Sequence, residues 1–424
     1  MPVPSTHSSA NVIAAPLRRV PARRAIHGLP VVFAFVVTAC ASSAPTDGTP
    51  PESLPPDETP PSYEWSAPTN LFETDIRLAA GTALHAVGVT GGALVHRSST
   101  DEGRTWSAGN TVAASGELPI YGPLAADGEN VYLISRSGGA LRTRRSTDGG
   151  ATWSAPVALQ GYSADNDDRV QMAAEGSSVH IFVGRAGIGG DASFKIYYWR
   201  STDAGQSFGS VRILDENPVD QPSPGGIAVE NGVVHIGYAA ITKMGPLGHR
   251  ARYMRSPDNG VTWSAPVDIS GAGTNPQIRP RPRVLNGRVF VLWEEPLDYD
   301  QQGPLGNATI SAIRINLSTD NGVTWLGTRD VAAVPATYLS HPEVAVGPSG
   351  MFHVAYRMSA AQSSLSITDE IGYRQSKDFG ANWRAPEIAI DDPTQESAAV
   401  NLVATSRYIH LASAGGVYVR RQVR

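Results

Sequence analysis

Ser256-Pro257-Asp258-Asn259-Gly260-Val261-Thr262-Trp263-Ser264-Ala265-Pro266 is the passage on which the reading of this chain turns. Its core, Ser-x-Asp-x-Gly-x-x-Trp, recurs at Ser99–Trp106, Ser146–Trp153, Ser318–Trp325 and Ser376–Trp383, and with Phe in last place at Ser201–Phe208. The six aspartates, Asp101, Asp148, Asp203, Asp258, Asp320 and Asp378, stand 47, 55, 55, 62 and 58 residues apart. Serine and aspartate side chains accept backbone N–H groups in a tight turn, glycine supplies a positive φ, and the aromatic packs back as an anchor. Each box therefore closes a β-hairpin.

Upstream of the boxes lie alternating, β-branched runs such as Val131-Tyr132-Leu133-Ile134, Val179-His180-Ile181-Phe182 and Val289-Phe290-Val291-Leu292. A four-stranded repeat of about 45–60 residues predicts a propeller blade. With strands lettered A to D from the axis outward, each box joins C to D. Past the sixth box, Val400–Val403, Tyr408–Leu411 and Gly416–Arg420 supply A, B and C without a D. At the other end Trp65-Ser66-Ala67-Pro68 repeats the text that follows Gly260 and Gly150, with no A, B or C before it. The two fragments complete each other. This predicts an all-β propeller of seven blades, the segment near Tyr63–Leu71 serving as the outer strand of the last and closing both exposed edges.

The composition fits: Gly 43 and Pro 32 favour many turns, and charged residues are only 17% of 424. Net charge is −5, only three lysines occur (Lys195, Lys243, Lys377), and no basic stripe is present, which excludes a nucleic-acid role. The first 39 residues carry Arg18, Arg19, Arg23 and Arg24 before an apolar run from Leu29 to Val37, and read as a secretory signal too short to span a bilayer. Val37-Thr38-Ala39-Cys40 resembles the lipobox of bacterial lipoproteins, and Cys40 is the only cysteine. The resemblance implies cleavage before Cys40, acylation of its thiol and a place in the cell envelope, at the outer membrane or cell surface, with the lipid as the sole membrane contact. Residues 40–62, with seven prolines between Ala41 and Ser62, read as an extended stalk. The propeller is expected over residues 63–424.

Six Ser-x-Asp-x-Gly-x-x-Trp boxes in four-stranded repeats resemble the bacterial neuraminidase repeat, or Asp-box, proteins of the sialidase-like propeller superfamily. The resemblance implies a glycan as ligand, and it carries an alternative count of six blades, the number usual in sialidases. Those enzymes grip a carboxylate with three arginines and use a Tyr nucleophile polarised by a Glu, with an Asp as acid and base. Arg77-Leu78-Ala79 looks like a degraded form of the family's Arg-Ile-Pro motif, and Arg169 with Arg281 or Arg283 would complete a triad. The pattern is broken after Arg77-Leu78, where Pro is missing, and in the loop Gly88–Gly92, which offers no Asp.

The repeat itself sorts scaffold from site. A column filled alike in most blades serves packing, so the box aspartates are read as structural. So are the B-strand residues His85, His180, His235, His353 and His410, one per blade and too dispersed to share a metal. The A strands differ from blade to blade. One column reads Arg77, Pro123, Gln171, Gly226, Arg283, Glu343, Asn401; two residues earlier stand Asp75, Tyr121, Arg169, Pro224, Arg281, His341, Ala399. Such varied polar positions around a channel mouth suit recognition. Arg77, Arg169, Gln171, Arg281, Arg283 and His341 are the candidate ligand-binding residues. Tyr338 and Tyr121 are candidate nucleophiles, and Glu294, Glu295 or Glu343 candidate polarising groups. The runs 165–168 and 298–303 are weak calcium candidates; otherwise no metal or cofactor is expected.

These observations predict an exported, lipid-anchored monomer that binds a glycan or other envelope ligand at its channel mouth without turnover. An exo-sialidase-type glycoside hydrolase is the alternative, and a protein-binding envelope assembly factor a second.

Overall fold

The box turns obey their composition. In all six, the serine hydroxyl bonds the aspartate Oδ1 at 2.6–2.8 Å and accepts the glycine N–H at 2.8–2.9 Å. The residue before the aromatic is always Thr, Ser or Asn: it donates its N–H to Oδ1 and its side chain to Oδ2. Accepting so many donors holds five of the carboxyls at about 2 and Asp320 lower still, below the ordinary aspartate value. Two successive residues take a positive φ, the second always the box glycine, as in Asn259 (57°) and Gly260 (81°). A methyl on Gly260 would lie 1.9 Å from the Tyr198 hydroxyl of the preceding blade.

A computed structural model describes residues 64–162, 169–186, 194–217, 220–242, 249–271, 275–297, 310–334, 337–347, 349–360, 369–392, 400–413 and 415–423. Among them every regular element is a strand, and the strands form seven antiparallel sheets of four. The innermost strands are Thr74–Ala80, Leu118–Asp127, Arg169–Glu175, Asp220–Glu230, Ile278–Leu285, Thr337–Val346 and Val400–Ala404, which define blades one to seven. Each touches the next, and the seventh touches the first, so the ring is closed. Seven blades are present, not six.

Closure is made as the split repeat requires. Thr69 and Asn70 pair with Tyr418 and Val417, and the Ser66 N–H donates to the Arg420 carbonyl at 2.8 Å. The Ser66 hydroxyl accepts the Arg420 N–H at 3.1 Å. Ser154 and Ser264, the residues after two box tryptophans, make the same pair of bonds to Arg145 and Arg255. The regular ladder of these two outer strands begins at Val157 and Val267, after Pro156 and Pro266, which have no N–H to donate.

The histidine column is packing, with one partner per blade. His180, His235, His353 and His410 Nδ1 lie 2.6–2.8 Å from the hydroxyls of Tyr198, Tyr253, Tyr373 and Tyr418; His85 meets His96 at 3.1 Å. Each strand-C ring then receives the box tryptophan of the next blade edge-on: Trp263 on Tyr198, Trp325 on Tyr253, Trp106 on Tyr418, Trp153 on His96. Trp65 meets Tyr373 in the same way, at 5.0 Å and 87°. It occupies the seventh of the aromatic positions that the boxes otherwise fill, although it has no box of its own. Burial lowers His85, His96 and His180 to about 4 and His235 and His353 to about 3. Signal, Cys40 and stalk lie outside the described residues.

Candidate active site at the channel mouth

Five of the seven inner strands carry a bulge near the end where they begin, between Thr74 and Arg77, Pro119 and Leu124, Pro224 and Gly226, Ile278 and Arg281, and Ser340 and Glu343. A bulge adds a residue and turns the following side chains by one pleat. The strand pairing beyond the bulge corrects the sequence alignment in blade five. Arg281 faces Leu292, two beyond Phe290, as Glu343 faces Ala355, two beyond His353, and Arg77 faces Val87, two beyond His85. Arg281, not Arg283, stands level with Arg77, Gln171, Glu343 and Asn401; Arg283 lies one pleat deeper.

These six side chains line a cavity of about 370 Å³ on the ring axis. Glu343 bridges two guanidiniums, Arg281 Nη2 to Oε1 at 3.1 Å and Arg283 Nη2 to Oε2 at 3.2 Å. Arg281 Nη1 also donates to Gln171 Oε1 at 3.2 Å, across blade four. Gly226 permits this crossing, since a Cβ there would meet Pro282 at 3.0 Å and the Arg281 Cα at 3.3 Å. Arg77 Nη1 and Asn401 Nδ2 both donate to the Ile76 carbonyl, at 2.8 and 3.0 Å. Desolvation lowers the Arg283 pKa from its ordinary value, opposed by Glu343 and assisted by the Arg281 charge.

Nearer the mouth, blades five and six enclose a second cluster. Glu294, fully buried, accepts the Tyr338 hydroxyl on Oε1 at 2.6 Å and Arg279 Nη1 on Oε2 at 2.6 Å. The His341 N–H adds a third donor to Oε2 at 3.3 Å. Arg279 and His341 occupy equivalent places in the two bulges, and both have a positive φ, 56° and 51°. Non-glycine residues adopt that conformation at a cost of order 1–3 kcal/mol and concentrate at functional sites. The His341 Nδ1 lies 3.2 Å from the Ser340 hydroxyl, while its backbone N–H serves the cluster.

The candidates thus separate. Tyr338 joins Glu294; Arg281, Arg283, Gln171 and Glu343 form one network with Arg77 on the same wall. Glu295 points elsewhere, to Arg314 and Asn275. The side chains of Tyr121 and Arg169, and the runs 165–168 and 298–303, lie outside the described residues. Sequence reasoning missed Arg279, though the alternation Arg279-Pro280-Arg281-Pro282-Arg283 marked it: prolines donate nothing to a ladder and admit a bulge. Among the described residues no group of three or more His, Cys, Asp or Glu is arranged to hold a metal.

No protein-family profile matches the chain, and no curated protein matches it in sequence. Solved structures do resemble it. A Dyadobacter fermentans protein of unknown function aligns at TM-score 0.50 and 14% identity, over 84% of this chain and 98% of its own. A Hadza microbial sialidase aligns at 0.47 and 14%, over 81% and 74%. A Fusarium graminearum α-L-arabinofuranosidase aligns at 0.46 and 16%, over 73% and 97%. At such identities the likeness concerns the propeller fold, and what those proteins act on is a property of their own sites.

Proposed function

We propose that this protein is an exported propeller, held at the cell envelope by lipid on Cys40, which binds an acidic glycan or other anionic envelope ligand at its channel mouth. One observation carries the reading: in the described cavity wall two guanidiniums, Arg281 and Arg283, share a single carboxylate, Glu343. The surplus of guanidinium charge suits a carboxylate or sulfate, which the planar fork binds bidentately. The non-repeating polar lining supports selection of one ligand shape. A glycan array tests this. Arg281→Gln and Arg283→Gln are each expected to weaken an acidic hit about tenfold, or about 1.4 kcal/mol. Binding unchanged by both substitutions overturns the reading. Release of Cys40→Ala protein from the membrane fraction tests the anchor.

Glycoside cleavage is the second reading, favoured by the Tyr338–Glu294 hydrogen bond of 2.6 Å. In that reaction Tyr338 Oη attacks the anomeric carbon, its proton passes to Glu294, and water later releases the sugar. The departing alcohol also needs a proton donor, and the described wall offers no second acidic residue beside Glu343. A fluorogenic sialoside assay decides between the two. Turnover lost in Tyr338→Phe, with binding retained, establishes cleavage.

A further inference from the structure

Arg279 and His341 hold a positive φ, 56° and 51°, inside strands and not in turns. Among the described residues, every other non-glycine residue with a positive φ lies in a box or in the tight turns at Asn231 and Asn286. Strained backbone persists only where its surroundings fix it. Here the fixing group is Glu294, which has no exposed surface. It pairs in its own sheet with Ile278, the residue before Arg279. Its Oε2 accepts Arg279 Nη1 and the His341 N–H, and its Oε1 accepts the Tyr338 hydroxyl.

The inner strands that carry these residues, Ile278–Leu285 and Thr337–Val346, belong to different sheets, and no main-chain ladder joins them. Side-chain contacts set their mutual register. Two such pins have the same offset: Arg279 and His341 meet on one oxygen of Glu294, and two residues further along each strand Arg281 meets Glu343 at 3.1 Å. Ser311 also accepts the Leu339 N–H at 2.6 Å, which ties blade six to strand C of blade five but not to the arginine strand. An anion entering the mouth competes with Glu343 for Arg281 and Arg283. It thereby weakens the second pin, and the first is what keeps Arg281 in place.

We infer that Arg279 and Tyr338 are positioning residues for anion recognition, a role that presupposes the anion site proposed above. Through Glu294 they hold the arginine strand of blade five against the bulge of blade six, and so fix Arg281 for the ligand. Glu294 has no surface with which to touch a ligand, so its contribution passes through the strands it joins. Bidentate recognition depends on the plane of the guanidinium, which buried supporting bonds preserve. The Tyr338–Glu294 bond thus has a role that needs no bond cleavage.

Calorimetric titration of the full-length protein with inorganic sulfate tests this role, with urea unfolding of each variant as a check of the fold. Arg279→Lys, which keeps the charge but not the fork, is expected to weaken sulfate binding about tenfold, and Tyr338→Phe, which removes one bond and no charge, about threefold. Should Arg279→Lys fail to fold, Tyr338→Phe carries the test. A purely structural role would leave the affinity of the folded variants unchanged. A double-mutant cycle isolates the coupling: in Arg281→Gln protein, Tyr338→Phe is expected to change sulfate binding by less than about twofold, because its effect acts through Arg281. Full affinity in both single variants, or an equal loss with and without Arg281, overturns the positioning role and leaves the anion site standing. Sulfate binding indifferent to Arg281→Gln and Arg283→Gln, or no sulfate binding by the unaltered protein, overturns the anion site and the positioning role with it.

Discussion

The two ends of the propeller use polar residues in opposite ways. At the box rim every box aspartate is satisfied within its own eight-residue turn, and the same bonds recur six times with little variation in length. At the mouth, charges are exchanged between blades: Arg281 of blade five reaches Gln171 of blade three and Glu343 of blade six. Local satisfaction of the aspartate lets the same turn repeat from blade to blade. Exchange across blades makes the mouth specific to one order of blades, so its residues cannot repeat. A site in such a ring is found where the repeat fails.

The largest expected effect comes from breaking the rim. Gly322 has φ 78°, and a Cβ there would lie 1.9 Å from the Tyr253 hydroxyl. Gly322→Ala is expected to cost about 3 kcal/mol in denaturant unfolding, from strain and overpacking together, while ligand binding at the mouth by the folded protein is unchanged.

Acid separates the packing layer from the turns. The buried histidines have pKa values below their unfolded value of 6.5, so the unfolded chain takes up protons first. Stability is expected to hold above pH 6.5 and to fall as pH drops through about 4, by of order 1–3 kcal/mol per buried histidine. The box aspartates are also depressed, from 3.8, so their contribution is expected to persist above pH 4 and to disappear toward pH 2. Urea midpoints measured from pH 8 to pH 2 should show two descents. A His235→Phe variant should reduce the first and leave the second.

The smallest effect on stability sharpens the comparison most. Glu343→Gln removes the carboxylate between Arg281 and Arg283. It is expected to destabilise by about 1–2 kcal/mol through repulsion of two partly buried cations, and to tighten an acidic ligand about tenfold by freeing both guanidiniums. Glycan affinity and unfolding midpoint, measured on the same variant, should move in opposite directions.

Much of this was legible in advance. Trp65 could be placed because its Ser-Ala-Pro continuation copies that of Trp153 and Trp263, and the structure sets it against Tyr373 as a box tryptophan would be set. The histidine column was recognisable as scaffold because it repeats; three of its tyrosine partners, Tyr198, Tyr253 and Tyr373, stand three residues before a box serine, whereas Tyr418 precedes none. The Thr, Ser or Asn before each box aromatic was equally readable and carries two bonds per turn. The mouth was legible only in part. Arg281 and Arg283 both suit the varied column by residue type, and only the ladder of Arg281–Leu285 against Leu292–Arg288 puts Arg281 level with Arg77 and Glu343.

Periodicity and composition alone therefore determined the all-β class, the number of blades and the way the ring closes, because each depends on a local turn or on a repeated pattern that every blade states again. Which charges meet was decided by the tertiary structure. The Tyr338–Glu294–Arg279 cluster joins residues up to 59 positions apart, and the Glu343 bridge spans 62. These pairings depend on where each inner strand bulges and on a glycine in blade four leaving room for an arginine to pass. Neither condition is expressed in the residues that come together.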